Sequence, residues 1–196
     1  MHLVLAPQSP VKARRMARGF TLVELMAVVA IVAILAVLGT VGIRKYIRSS
    51  KTSEALVMIG AIKMAQEEYY RDTFAYKDIS GVNKLDNYST FYPATTPLKG
   101  GGKVSWGGGT DAVANGWREL GVRASGPVMF IYGCAAGPGS MAPASPGFTI
   151  GNYPTSATGQ PWYLIKAVAD LDGNGTVGSY VGTSLTAEIF PDKEEG

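Results

Sequence analysis

The sequence predicts an α+β fold, in which one long N-terminal helix packs on a small antiparallel β-sheet. Two patterns predict it. From residue 20 to about residue 73, apolar residues first occur on all sides and then recur at helical spacing, with no proline between Pro10 and Pro93. From residue 80 onward, short runs of aromatic and β-branched residues alternate with glycine and proline. The helix is the natural cover for one face of such a sheet.

The first half of the predicted helix is apolar on every side. Residues 20–43 contain one charged residue, Glu24, and as a helix these 24 residues would extend about 36 Å, against about 30 Å for the hydrocarbon core of a bilayer. A removable secretory signal has an apolar region of only about 7 to 15 residues. The segment is therefore predicted to be a membrane anchor. Glu24 needs an explanation, because an ionised carboxylate in lipid costs about 2 to 3 kcal/mol or more.

Residues 44–79 are predicted to continue the helix as an amphipathic segment and to begin the globular domain. Apolar residues recur there at the spacing of one helix face, while charged residues lie mostly elsewhere. The apolar positions are Ala55, Met58, Ile59, Ile62, Ala65 and Tyr69. This face is predicted to pack on the sheet.

Residues 80–196 are predicted to form a loop-rich antiparallel β domain. The candidate strands are 128–134, 162–169, 176–181 and 184–190. Between the first two lies a 25-residue segment, 137–161, with five prolines and five glycines, which predicts an exposed loop rather than core. Trp117 and Leu120, one helical turn apart, are predicted to pack in the core, as is Cys134.

Composition narrows the possible functions. Residues 1–19 hold four basic residues and no acidic one, and residues 20–196 hold 14 basic and 15 acidic residues, so nucleic-acid binding is not indicated. His2 is the only histidine and Cys134 the only cysteine. Histidine-based catalysis, histidine metal sites and intramolecular disulfides are thereby excluded from the rest of the chain, and no nucleophile stands beside a recognisable base. The sequence does not predict an enzyme.

The N-terminal segment resembles that of type IV pilins and pseudopilins. In "RGFTLVELMAVVAIVAIL" a basic stretch ends in Gly19, Phe20 follows, Glu24 would be the fifth residue after a cut between them, and an uninterrupted apolar helix comes next. The resemblance implies that residues 1–19 are a leader peptide, that a prepilin peptidase cuts between Gly19 and Phe20, and that the new amine of Phe20 is methylated. It also implies a cytoplasmic leader and a single pass through a bacterial inner membrane, before assembly into an extracellular or periplasmic filament.

The same resemblance implies a role for Glu24. Cleavage would create an amine at Phe20 with a reference pKa of about 7.7 to 8.0, and in a fibre of parallel helices Glu24 would meet the amine of a neighbouring subunit. A buried ion pair adds little net stability, but it penalises a misaligned subunit, which leaves both charges unpaired. The alternative is an interfacial carboxylate that the helix macrodipole favours at an N-terminus.

Two features differ from many major pilins. Val41 stands where a proline is common, between Gly39 and Gly42, and a single cysteine cannot close a C-terminal loop. These differences favour a minor pilin or pilin-like subunit over a major pilin, and a pseudopilin of a type II secretion system also stays open. Met16 is an alternative start to Met1, which would leave only "MARG" before the cut.

The segment "ADLDGNGTVGSY" contains the first half of a calcium-binding loop pattern. Asp170, Asp172 and Asn174 place oxygen atoms at alternate positions, as a hard cation requires. The twelfth position is Val181 rather than glutamate, which excludes a standard EF-hand, and a polar hairpin turn uses the same residue types. The segment "KGGGK" at 99–103 fails the phosphate-loop pattern at two positions and is predicted to be a flexible surface loop.

These observations together predict a non-enzymatic structural subunit of a type IV pilus or related filament. The expected partners are other pilin subunits, the prepilin peptidase, the pilus or secretion assembly machinery, and the inner membrane before assembly. No cofactor is expected, apart from calcium at Asp170, Asp172 and Asn174. The alternatives are a type II secretion pseudopilin and a membrane-anchored adhesive or binding domain that uses the proline- and glycine-rich loop as its surface.

Overall fold

The computed structural model describes residues 19–81 and 85–192. Within these ranges lie two helices, α1 (Leu22–Thr73) and α2 (Ala112–Glu119), and four strands, β1 (Ile131–Gly137), β2 (Trp162–Ala169), β3 (Gly178–Thr183) and β4 (Thr186–Pro191). A long N-terminal helix followed by a small antiparallel sheet confirms the predicted α+β fold. Residues 1–18 of the predicted leader lie outside the described residues.

The chain divides into two units, Met1–Arg44 and Lys45–Gly196. In the first unit, every side chain from Gly19 to Thr40 is exposed. The stretch Leu22–Thr40 is long and apolar enough to cross a membrane. The backbone of α1 stays helical through Gly39 and Gly42, so these glycines do not end the helix.

The second unit is built around a four-stranded antiparallel meander with the order β1-β2-β3-β4. Cys134 of β1 lies opposite Ile165 of β2, and Lys166 of β2 lies opposite Val181 of β3. A register shift between Gly182 and Thr183 interrupts the pairing of β3 with β4. Strands β2 and β3 are buried along their whole length, which means that both faces of the central sheet are covered.

One face of the sheet packs against α1, as the periodicity of residues 55–69 predicts. The buried residues of α1 include Ala55, Ile59 and Ile62, which join Trp117, Tyr163 and Ile165 in one core cluster. Each large aliphatic side chain buried in this way contributes about 1.5 to 3 kcal/mol of transfer free energy. Trp117 and Leu120 are both buried, as predicted.

The other face of the sheet is covered by loops, and this corrects one prediction. The proline- and glycine-rich segment 137–161 was predicted to be exposed, yet Ala144 and Ile150 are buried in a second core cluster with Leu164 and Val168. The segment is held at its base, where the N–H of Gly159 donates to the carbonyl of Gly139 over 2.9 Å. The sheet has two apolar faces and α1 covers only one, so the loop supplies the second cover.

Strand β1 begins three residues later than predicted, because residues before it bond to a side chain instead of a strand. The backbone N–H groups of Met129 and Phe130 donate to Oε1 of Glu54, at 2.7 and 3.2 Å. Val128 forms an isolated bridge with Val104. Pairing with β2 therefore starts at Ile131.

A buried glutamine fixes the turn that follows α1. Gln66 is fully buried, and its side chain donates to the carbonyl of Lys77 over 2.8 Å and accepts from the N–H of Lys77 over 2.9 Å. The amide also donates to Sγ of Cys134 over 3.1 Å. Burial raises the pKa of the Cys134 thiol to about 12, so this cysteine is a protonated core residue at neutral pH.

The close approach of β3 to α1 gives a test of the core. A Cβ added to Gly182 would lie 2.5 Å from Cγ2 of Ile59, so Gly182→Ala should lower the free energy of unfolding by about 1 to 3 kcal/mol. Gly60→Ala is the matched control, because a Cβ there meets nothing within 4 Å and alanine favours the helix by about 1 kcal/mol. Guanidinium unfolding of the detergent-solubilised protein, followed by tryptophan fluorescence, measures both. Equal effects of the two substitutions would contradict the close packing.

Candidate functional site

The N-terminus of α1 is closed by a reciprocal capping interaction between Thr21 and Glu24. The N–H and the hydroxyl of Thr21 both donate to Oε2 of Glu24, at 2.9 and 2.8 Å. The N–H of Glu24 in turn donates to Oγ1 of Thr21 over 3.2 Å. This is a capping box, which satisfies N–H groups that the first turn of a helix leaves without intrahelical acceptors.

The carboxylate of Glu24 uses only one of its two oxygens for this cap. Within residues 19–81 and 85–192, no hydrogen bond reaches Oε1, and the side chain is exposed. An ionised carboxylate can accept about four hydrogen bonds, so one oxygen of Glu24 is still able to bind a donor from another molecule.

Gly19 and Phe20 precede the helix in an open stretch of backbone. A Cβ built on Gly19 meets nothing within 4 Å, and the glycine does not occupy the left-handed region. The fold itself therefore does not require glycine at position 19. Phe20 is 89% exposed, so the predicted junction between Gly19 and Phe20 is not covered by the described part of the chain.

The apolar stretch that follows is without a partner in its own chain. Its large apolar side chains, from Leu22 to Leu38, are each between 57% and 75% exposed. A soluble protein rarely exposes a continuous apolar surface of this extent, and such a surface marks a contact with lipid or with another protein.

Sequence reasoning missed the capping role of Glu24, although the signal was present. The pattern Ser or Thr, two residues, then Asp or Glu, directly before an apolar run is the signature of a capping box. In "FTLVE" it places Thr21 at the N-cap and Glu24 three residues later. The alternative of a carboxylate that the macrodipole favours at the helix N-terminus correctly placed Glu24 in the first turn, but it did not include the bonds to Thr21.

The acidic loop after β2 is held together by its own hydrogen bonds. Asp170 is 1% exposed, and its Oδ1 and Oδ2 accept from the N–H groups of Gly173 and Gly175 over 2.8 and 3.0 Å. Both glycines have positive φ, at 79° and 89°, which favours glycine there. Asp172 accepts from the N–H of Asn174 over 3.0 Å and from its Nδ2 over 2.6 Å.

This geometry is that of a polar turn between β2 and β3. Asn174 uses its Oδ1 to accept the N–H of Thr176 over 2.6 Å, so each of the three predicted ligands already bonds within the loop. Each of their oxygens has a further lone pair. In the described part of the chain, no three His, Cys, Asp or Glu side chains gather as a metal site would require. The loop offers two carboxylates and one amide, and calcium binding there stays a prediction.

The glycine-rich loop 99–103 lies beside this acidic loop. The N–H of Gly100 donates to the carbonyl of Asp170 over 2.8 Å, and Lys99 forms a parallel bridge with Asp170. Nζ of Lys51, from α1, donates to the carbonyl of Leu171 over 3.1 Å. Two motifs that are about 70 residues apart in the sequence thus form one surface with α1.

Comparison with known proteins finds a family model that matches the N-terminal segment. Residues 14–40 match the family model described as the prokaryotic N-terminal methylation motif. No curated protein and no solved structure matches the chain. The matched range contains Gly19, Phe20, the Thr21–Glu24 cap and the exposed apolar helix as far as Thr40. The segment 14–40 of this chain therefore carries the N-terminal methylation motif, the signature of type IV pilins and pseudopilins.

Proposed function

We propose that the protein is a structural subunit of a type IV pilus or a related filament, and that it assembles through the first half of α1. One observation carries the proposal: the helix that bears the methylation motif exposes its apolar side chains on all sides. Lipid covers such a helix before assembly, and the equivalent helices of other subunits cover it in a fibre. The pilin family is structural, which agrees with a subunit role.

The proposed life of the subunit has two stages. In the bacterial inner membrane, α1 spans the bilayer once and the leader lies in the cytoplasm. The peptidase then cuts between Gly19 and Phe20, the amine of Phe20 is methylated, and the assembly machinery moves the helix from lipid into a filament. A pilus and the short periplasmic fibre of a type II secretion system place the same demands on this helix, so the pseudopilin is the second candidate.

Glu24 would act in the second stage as a register residue. Its Oε2 stays in the cap with Thr21, while its Oε1 accepts from the amine of Phe20 in a neighbouring subunit. A subunit displaced along the fibre would leave a carboxylate and an amine unpaired among apolar side chains, at a cost of several kcal/mol. The pair thereby selects one axial position.

A membrane-anchored adhesive domain is the alternative from another class. The segment 137–161 would provide its binding surface, yet part of that segment is used to bury the second face of the sheet. Shearing filaments from cells and measuring the ratio of this chain to other subunits separates the two functions.

Blocking the cut tests the first stage. Gly19→Val should leave an uncut precursor in the membrane fraction, because a branched side chain would prevent the peptidase from binding the backbone before the cut. The fold should not change, since a Cβ at Gly19 meets nothing within 4 Å. Immunoblotting and N-terminal sequencing measure the outcome, and Gly108→Val, at another open glycine, is the control. Mature protein that begins at Phe20 in the Gly19→Val strain would refute the proposed processing.

Substitutions at the cap separate the two roles of Glu24. Glu24→Ala should leave membrane insertion intact and reduce filament incorporation sharply, because both the cap and the register pair are lost. Thr21→Ala removes the hydroxyl of the cap, at a cost of about 0.5 to 2 kcal/mol in helix stability, but keeps the carboxylate, so incorporation should stay near the wild-type amount. Glu24→Gln keeps an acceptor for the cap without the charge and should behave like Glu24→Ala. If Thr21→Ala is as defective as Glu24→Ala, the cap and not the register pair explains the role of Glu24.

Calcium binding at the acidic loop is a separate proposal, which the fixed position of the Asp170 carboxylate favours. Millimolar calcium should raise the melting temperature of the protein. At a calcium concentration one hundred times the dissociation constant, binding adds about 2.7 kcal/mol to the free energy of unfolding. Magnesium should have less effect, because it requires tighter octahedral geometry. Asp172→Ala should abolish the calcium effect, and Asp72→Ala, an exposed carboxylate on α1, should preserve it. Equal melting of the wild type in calcium and in chelator would leave only the hairpin turn.

A further inference from the structure

Three lysines lie in or against the glycine-rich loop, which contacts α1 and the acidic loop. A Cβ added to Gly101 would lie 2.8 Å from Nζ of Lys51, so the ammonium group of Lys51 lies against the middle of the loop. Lys99 and Lys103 flank the three glycines and are both exposed. The loop is held in place at its base, where the N–H of Asp170 donates to the carbonyl of Leu98 over 3.2 Å. We call Lys51, Lys99 and Lys103 the basic patch.

The carboxylates beside the basic patch offset only part of its charge, because three lysines stand beside two carboxylates. Asp170 is buried, and both of its oxygens accept backbone N–H groups of its own loop. Asp172 is exposed and bonds to Asn174. Among the described residues, neither Lys99 nor Lys103 forms an ion pair. The sequence also contains no acidic residue between 87 and 110, or between 25 and 53.

The patch lies on the side of the second unit where the chain enters it. Lys51 follows Thr40, the end of the apolar stretch, by 11 residues, which span at most about 40 Å even when fully extended. Arg44, Lys45 and Arg48 also occur in the sequence between Thr40 and Lys51. Any membrane that holds the apolar helix is therefore within reach of the patch.

We infer that the basic patch binds the phosphate groups of anionic lipids at the surface of the membrane in which α1 is anchored. This inference rests on the proposed anchoring. Each lysine near an anionic surface raises the affinity for that surface about fivefold. The covalent link to the anchored helix makes the attraction of a few lysines effective, because it holds the second unit at a high local concentration near the membrane. The second unit would thus be held against the bilayer before assembly, and it would be released when α1 leaves the lipid.

The test uses the full-length protein reconstituted into vesicles of phosphatidylcholine, either alone or with about one quarter phosphatidylglycerol. An amine-reactive reagent is applied in the presence of chelator, so that the calcium proposal does not affect the result, and mass spectrometry measures the labelling of Lys99. Lys77, which follows the far end of α1 and pairs with Glu119, serves as the internal reference. Flotation of the vesicles reports the anchoring separately.

We expect the labelling of Lys99 to fall about threefold or more with anionic lipid and to recover in high salt, because salt screens exposed charges. Lys103→Glu should remove at least half of this protection. Arg71→Glu changes the net charge equally but lies 20 residues further along α1, about 30 Å away, and should leave the protection unchanged.

Equal labelling of Lys99 in neutral and anionic vesicles, on protein that floats with both, would overturn the lipid contact and leave the anchoring intact. Protein that does not float would refute the anchoring and the lipid contact together.

Discussion

The constraint on which the rest of this molecule depends is an apolar helix that its own chain does not cover. Water next to the side chains of Leu22–Thr40 is unfavourable in proportion to their apolar area, and nothing in the described residues reduces that area. The helix must therefore be covered either by lipid or by other helices. Both environments exclude water, so one apolar surface suits both stages of the proposed function.

The second half of α1 differs from the first, because its apolar face is buried within its own chain. From Ala55 onward one face of the helix is buried against the sheet, with Ile59 in close contact with Gly182. Because those side chains already pack within the chain, they are not available for assembly. The segment from Gly19 to Thr40 differs, because none of its side chains is buried.

The sequence predicted the features that depend on long-range periodicity, and it failed where single side chains redirect the backbone. Helix α1 and strand β2 lie within two residues of their predicted bounds, because a helix of 52 residues and an eight-residue strand with only one charged residue give strong signals. Strand β1 was placed too early because no pattern shows that Glu54, about 75 residues away, binds the N–H groups of Met129 and Phe130. Helix α2 was missed because eight residues give little periodicity, although Asp111 is a regular N-cap.

The hydrogen bonds of Glu24 bear on both proposed environments, the membrane and the fibre. A carboxylate in an apolar setting is costly mainly when it lacks hydrogen bonds, and the two bonds that it accepts from Thr21 reduce that cost while the subunit is alone. The cap uses Oε2, so an amine that arrives at Oε1 need not break it. The local bonds therefore lower the cost of the charge, and in the proposed fibre the second oxygen would accept from the amine of a correctly placed neighbour. On the proposed account the cap does not compete with the register pair, because the two use different oxygens, and it lowers the cost of an ionised Glu24 until a neighbour provides the amine.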